Sequence, residues 1–167
     1  MKRLSILRHA KSSWKDVSAD DHDRPLAGRG DRDVPVIAGQ LANLAPPPDV
    51  VLCSTARRAR DTAVAVLEAA DCDAEIRMQR RLYLASPATW RAALAELPAE
   101  VDHALLVGHN PGLEELLAEL AGEHQELPTA ALARIELQVG SWPELAQGAR
   151  GELIGVWRPR ELSASRG

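Results

Sequence analysis

The sequence predicts an α/β domain: three layers, α/β/α, around a mostly parallel sheet that ends in an antiparallel hairpin at its C-terminal edge. Three observations predict it. Short apolar runs alternate with stretches of helical periodicity along most of the 167 residues, which is the pattern of strands joined by crossover helices. The alternation stops near the C-terminus, where two apolar runs follow each other with no helical stretch between them. Hydrophobic residues make up 46% of the chain, enough to build the core of one domain. That domain is expected over residues 1–158, with 159–167 as a loose tail.

The strands are expected at residues 3–7, 50–53, 75–78, 103–107, 132–139 and 152–157. The first helix is expected over residues 34–44, with Pro35 either in its first turn or kinking it, and Pro46-Pro47-Pro48 stops it. The second runs over about residues 56–70. The third opens at Ser86-Pro87, a cap residue followed by proline at the first helical position, and reaches about residue 97. The fourth opens at Asn110-Pro111 with the same grammar, and Leu113, Leu116, Leu117 and Leu120 fall on one face. Residues 132–139 and 152–157 read as a hairpin with a long turn.

Composition narrows the function. The formal charge of −4 argues against a general nucleic-acid binder, although a basic pocket can sit in an acidic surface. The arginines at 57, 58, 60, 77, 80 and 81 have no aromatic stacking platform beside them and read as solvated charges. No apolar stretch is long enough to span a membrane, and the first strand begins with no secretory signal ahead of it. Cys53 reads as a buried strand residue and Cys72 as a loop residue, in a reduced compartment. A cytoplasmic protein with neither a nucleic-acid nor a membrane partner is the expectation.

The chemistry collects after three strands. Leu7-Arg8-His9-Ala10-Lys11-Ser12 follows the first, Ser54-Thr55-Ala56-Arg57-Arg58 the second, and Gly108-His109-Asn110-Pro111-Gly112 the fourth. In an open parallel sheet the carboxyl ends of the strands face one crevice, where ligands bind. Two arginines and two histidines meeting there suit a phosphoryl group, whose charge spreads over three oxygens. Arg8 and Arg58 offer planar forks. His9 is the candidate nucleophile, since neighbouring arginines disfavour its protonated form. His109, protonated, would stabilise the equatorial oxygens. Ser12 and the backbone amides after His9 add hydrogen bonds, and Asn110 opens a helix whose N-terminus favours anions. Singly, each of these residues has an ordinary structural reading; jointly they point to a phosphate site.

The combination resembles the histidine phosphatase superfamily, named for its Arg-His-Gly motif, and within it the short SixA-type phosphohistidine phosphatases. Arg8-His9-Ala10-Lys11-Ser12 matches that branch, with Ala10 where the wider superfamily has glycine. Ser54-x-x-x-Arg58-Ala59-x-x-Thr62 matches the second motif and assigns the second phosphate arginine to Arg58 rather than Arg57. Val107-Gly108-His109-Asn110-Pro111-Gly112 matches the third. Arg24-Pro25-Leu26 with Gly30, and Leu82-Tyr83-Leu84-Ala85-Ser86, also fit. The resemblance implies a phosphoglycerate-mutase-like fold. It also implies a cofactor-independent and metal-free phosphatase in which His9 takes the phosphoryl group, water hydrolyses the intermediate, and Arg8, Arg58 and His109 bind the phosphate. Ser12 and Asn110 join the expected phosphate-binding set. The expected partner is a phosphohistidine protein or a small activated phosphate.

Two departures bear on the chemistry. The phosphoglycerate-mutase-like branch places a glutamate between the second and third motifs; residues 81–86 here contain no acid. The phytase-like branch has an aspartate directly after its second histidine, where this chain has Asn110. A weak demand for an acid suits a phosphoramidate. Phosphomonoester hydrolysis of a small metabolite and a phosphate- or phosphoprotein-binding module without turnover are the alternatives. A mutase would need a lid that the short gaps between motifs do not supply. Asp16, Asp20, Asp21 and Asp23, with His22 among them, read either as a solvated acidic loop or as the source of a carboxylate that reaches the pocket. Trp14 reads either as pocket rim or as loop packing.

Overall fold

The computed structural model describes residues 1–165. Six strands form one sheet: β1 (Lys2–Arg8), β2 (Val50–Ser54), β3 (Glu75–Gln79), β4 (His103–Gly108), β5 (Leu132–Leu137) and β6 (Gly151–Trp157). Their spatial order is β3-β2-β4-β1-β5-β6. The pairs β2–β3, β2–β4 and β1–β4 are parallel, and β5 is antiparallel to both β1 and β6. The expected architecture is the observed one.

Burial explains which runs became which strands. β2 and β4 lie inside the sheet and are buried at every position, so they read as continuous apolar runs rather than alternating ones. β3 is an edge strand without a fully buried residue, and its sequence is accordingly polar. The helices are α1 (Gly28–Asn43), α2 (Arg57–Ala69), α3 (Pro87–Ala95), α4 (Gly112–Ala121) and α5 (Pro159–Ser165). One face of the sheet packs Leu4, Ile6, Leu52 and Leu106 against Trp90 of α3 and Leu113 and Leu117 of α4. The other packs Leu7, Val51, Cys53 and Val107 against Ile37 of α1 and Val66 of α2. Ser86 caps α3 by accepting from the Thr89 N–H, and α4 ends on Gly122 in the left-handed region, at φ 78°.

The structure corrects the sequence reading at four places. Helix α1 begins at Gly28, ahead of the expected residue 34, and Pro35 lies inside it. Its first turn is mostly polar and exposed and gives no apolar period, while Gly30 packs so closely on the Lys11 carbonyl that a side chain there would collide. Helix α4 begins at Gly112 with no side-chain cap, because the Asn110 side chain is bound elsewhere. The long hairpin turn contains a 3-10 helix, Trp142–Gln147, opened by a Ser141–Glu144 capping box. Residues 159–165 of the expected tail form α5, whose Pro159 is buried and whose Leu162 packs on the second core; residues 166–167 lie outside the described residues. Proline at the first helical position is the signal for α5, but a single apolar residue gives no period to find.

Candidate active site

Strand register brings the two histidines together. Arg8 and Gly108 are paired across β1 and β4, so the next residues, His9 and His109, leave adjacent strand ends. The His9 N–H donates to the Gly108 carbonyl at 3.0 Å, and the two rings stand 5.2 Å apart, centroid to centroid. β2 neighbours β4 on the other side and leads into α2, whose first turn carries Arg58. Thr62 ties α2 to the loop that carries His9: its hydroxyl accepts from the Ala10 N–H at 3.0 Å and donates to the Arg58 carbonyl at 2.6 Å. Arg58 is 3% exposed while Arg57 is exposed, so the fold separates the two arginines that the sequence sets side by side.

His9 is 7% exposed. Its Nδ1 lies 2.7 Å from the Ala10 carbonyl, which can only accept. Nδ1 therefore carries the ring proton and Nε2 keeps its lone pair. Burial, reinforced by the charges of Arg58, Arg8 and Arg24, holds the His9 pKa at about 4 against an opposing hydrogen bond to Ala10. The ring is thus neutral at pH 7. His109 is 2% exposed, and burial, with His9 and Arg58 adding to it, lowers its pKa to about 3. His109 is therefore neutral at pH 7, where the sequence suggested a protonated ring. Its Nε2 lies 2.7 Å from the Ser54 hydroxyl. That hydroxyl accepts from the Ala56 N–H, so its proton is available for His109 Nε2 and the His109 proton then resides on Nδ1.

Three buried nitrogens at these strand ends lack any hydrogen-bond partner: Arg8 Nε, Arg58 Nε and His109 Nδ1. Buried donors without a partner cost about 1–3 kcal/mol each, and such groups are rare in ordinary cores. An oxyanion would satisfy all three kinds of donor.

The other expected ligands are placed differently. The Ser12 hydroxyl accepts from Arg24 Nη1 at 2.8 Å. Both protons of the Asn110 amide are committed, to Glu114 Oε1 at 2.8 Å and to the Leu127 carbonyl at 2.9 Å, so Asn110 has no donor left for a phosphate. Trp14 is 66% exposed and belongs to no core; the Arg24 guanidinium stacks 3.4 Å above its ring.

Of the acidic loop, one carboxylate turns inward. Asp21 accepts from Arg58 Nη2 at 3.0 Å, from Arg24 Nε at 3.1 Å and from the Tyr83 hydroxyl. Its backbone carbonyl accepts from Arg58 Nη1 at 2.6 Å. Burial opposes its ionisation, but the bonds from Tyr83 and Arg58 outweigh that and hold the Asp21 pKa at about 2. His22 is bonded to Thr55 and Asp23 and meets the Tyr83 ring edge-on; Tyr83 in turn meets His109 edge-on at 5.5 Å. Among the described residues no group of three or more His, Cys, Asp or Glu is placed to hold a metal ion. Sequence reasoning named Asp21 only as one of four loop aspartates, one of which could reach the pocket, and Arg24 and Tyr83 only within matching segments, with no role at the site. Four chemically equal aspartates share their loop, and nothing local marks the one that faces Arg58.

Comparison with known proteins bears on the family and the fold. Residues 4–83 match the model of the histidine phosphatase superfamily (branch 1). An uncharacterized protein of Mycobacterium tuberculosis is 37% identical over 165 residues, covering 92% of this chain and all of the relative. The structure of a candidate phosphohistidine phosphatase SixA from Agrobacterium tumefaciens superposes with a TM-score of 0.81 at 30% identity, covering 95% of this chain and 98% of the other. That of the protein histidine phosphatase SixA complexed with tungstate gives 0.81 at 25% identity, covering 96% and 99%. The strand-end histidines and arginines, the mixed sheet and these matches together make the chain a member of the histidine phosphatase superfamily, a phosphatase of SixA-like fold.

Proposed function

We propose that this phosphatase works through a phosphohistidine formed on His9, without a cofactor, and that its substrate is a phosphohistidine protein or a small activated phosphate. The observation that carries the reading is the set of unpartnered buried donors, Arg8 Nε, Arg58 Nε and His109 Nδ1, beside a histidine whose Nε2 is free to attack. His9 Nε2 bonds to phosphorus as the bond from phosphorus to the leaving group breaks, and the leaving atom takes that electron pair and a proton from solvent, which the attacking water returns in the second step. Water then attacks the phosphorus of phospho-His9, the P–Nε2 bond breaks, and inorganic phosphate is released. Arg8, Arg58 and His109 hold the charge in both steps, with Ser12 at the edge of the set. As phosphate arrives, its negative charge favours a proton on His109, which restores the charged donor that the sequence suggested.

Asp21 bears on the choice of leaving atom. Ionised and bonded to two arginines and a tyrosine, it is a poor proton donor in the free enzyme. A leaving nitrogen, more basic than an ester oxygen, depends less on such a donor, which favours phosphoramidates. Phosphomonoester hydrolysis is the second reading, favoured by the placement of the Asp21 carboxylate directly on a phosphate arginine. No helix among the described residues is long and apolar enough to cross a membrane; the reading takes a phosphorylated substrate in the cytoplasm as the partner, and neither nucleic acid nor membrane. The test is hydrolysis of phosphohistidine beside a panel of phosphomonoesters, with wild type and His9→Ala. Preferential phosphohistidine turnover that vanishes in the variant is expected. Preference for an ester overturns the phosphoramidate assignment, and no turnover on either class overturns hydrolysis in favour of a binding module.

A further inference from the structure

Arg8 emerges at the end of β1 with one terminal nitrogen, Nη1, donating to the Leu127 carbonyl at 3.0 Å. That carbonyl belongs to the irregular connection between α4 and β5, so something other than a helix or strand must fix it. The Leu127 side chain is fully buried in the core that α4 covers. Its N–H donates to Glu114 Oε1 at 2.8 Å. Its carbonyl, besides Arg8, receives Asn110 Nδ2 at 2.9 Å, and Asn110 Nδ2 also donates to the same Glu114 Oε1 at 2.8 Å.

The bonds close a ring. One carboxylate oxygen of Glu114 grips the Leu127 peptide at its N–H, and Asn110 bridges from that oxygen to the carbonyl. Glu114 sits in the first turn of α4, where a negative charge is favoured by the helix N-terminus. Asn110 directly follows His109. The strand end and helix that deliver His109 therefore also hold the peptide on which Arg8 rests. Burial lowers the Arg8 pKa, and the nearby Glu114 charge opposes that effect, so the carboxylate also helps keep the guanidinium charged inside the protein.

We infer that Glu114, acting through Asn110 and the Leu127 peptide, is the positioning residue for Arg8, and that Asn110 serves this ring rather than the phosphate itself. The inference rests on the reading of Arg8 as a phosphate ligand. It makes the two sides of the pocket, Arg8 and His109, a single unit whose spacing is set by one carboxylate oxygen. An arginine loses its value to a transition state once it is displaced by a fraction of its hydrogen-bond length.

The experiment is tungstate binding by calorimetry, together with kcat/KM, for wild type, Glu114→Ala, Glu114→Gln, Asn110→Ala, Arg8→Ala and the double variant Arg8→Ala/Glu114→Ala. Glu114→Ala is expected to weaken tungstate binding about tenfold, the size of one misplaced charge-assisted hydrogen bond, and to lower kcat/KM in parallel. Glu114→Gln keeps an acceptor oxygen at the same place and is expected within about threefold of wild type. In the Arg8→Ala background, Glu114→Ala is expected to add nothing, the mark of two residues acting as one. Should Glu114→Ala fail to fold, the same loss is expected of Asn110→Ala and of its combination with Arg8→Ala. Unchanged tungstate affinity in folded Glu114→Ala or Asn110→Ala overturns the inference, as does a loss of equal size with Arg8 already removed. A wild type that does not bind tungstate overturns the phosphate-pocket reading beneath it.

Discussion

Strand β4 opens on one histidine and is followed by another, and the two rings differ in what they bond. His103 opens the strand and His109 follows its last residue. Both are buried. Burial lowers both pKa values, to about 4 for His103, with Arg134 adding to it, and to about 3 for His109. What separates them is hydrogen bonding. The His103 ring has a partner at each nitrogen, the Ser5 hydroxyl at 2.8 Å and the Pro46 carbonyl at 2.9 Å, and Asp49 accepts from its backbone N–H. His109 has Ser54 on one nitrogen and nothing on the other, and its neighbours are His9, Arg58 and Arg8. A depressed pKa therefore reports burial at both ends. Arg134, beside His103, also has two buried nitrogens without a partner, so unmet donors alone do not separate the ends. What distinguishes the His109 end is that its own ring and two arginines carry them around a second histidine, His9.

The largest effect is expected at His9. His9→Ala is expected to lower phosphate release by at least about 10⁴-fold while leaving the melting temperature close to wild type, because its ring holds no other element in place. Next come the two adjacent arginines. Arg58→Ala should lower kcat/KM by about 10²–10³-fold, the usual cost of one charge-stabilising donor, and exposed Arg57→Ala by no more than about threefold. Steady-state kinetics on the two variants decide the motif register, and the reverse order would shift it by one residue.

His103→Ala should do the opposite of His9→Ala. It orphans the buried Ser5 hydroxyl and should cost about 1–3 kcal/mol of stability, read as a lower midpoint in urea, with kcat/KM of the folded enzyme near wild type. The pH dependence should unite the two ends. His9, His103 and His109 all have folded-state values, about 4, 4 and 3, below the ordinary 6.5. Between those values the unfolded chain binds more protons than the folded one. Stability is therefore full above pH 6.5 and declines as pH falls toward about 4. Thermal melts across that window should show it, and a pH-independent melting temperature would contradict the burial of these rings. In kcat/KM, the acid limb contributed by His9 should fall near pH 4 rather than 6.5. The smallest expected effect is that of Asp21→Asn on phosphohistidine hydrolysis, within about threefold if no proton is drawn from Asp21; a loss beyond about 10²-fold, in the range of general acid catalysis, would make Asp21 the acid.

Much of this was legible in the residues. His9 and His109 each end an apolar run, and runs buried on both faces announce interior strands whose ends must face one crevice. The parallel sheet and the hairpin followed from the same alternation. Arg58 was separated from Arg57 by motif spacing, and its burial agrees. The unread parts share a cause: they depend on contacts between segments that carry no period. Asp21 is one of four aspartates in an irregular loop, Tyr83 stands in a short turn, and Glu114 looks like any polar position of an amphipathic helix until the Leu127 peptide is placed against it. Asn110 was misread for the same reason, since a residue just before a helix reads as a cap unless a distant carbonyl claims it.

The central claim is that His9 carries the phosphoryl group between substrate and water. The most direct measurement is rapid quenching of the enzyme with radiolabelled phosphohistidine or another activated phosphate, followed by mapping of the acid-labile label. The account predicts label on the peptide containing His9, formed and lost at rates consistent with turnover, and absent from His9→Ala. Label on another residue, or turnover by His9→Ala at the wild-type rate, would contradict it.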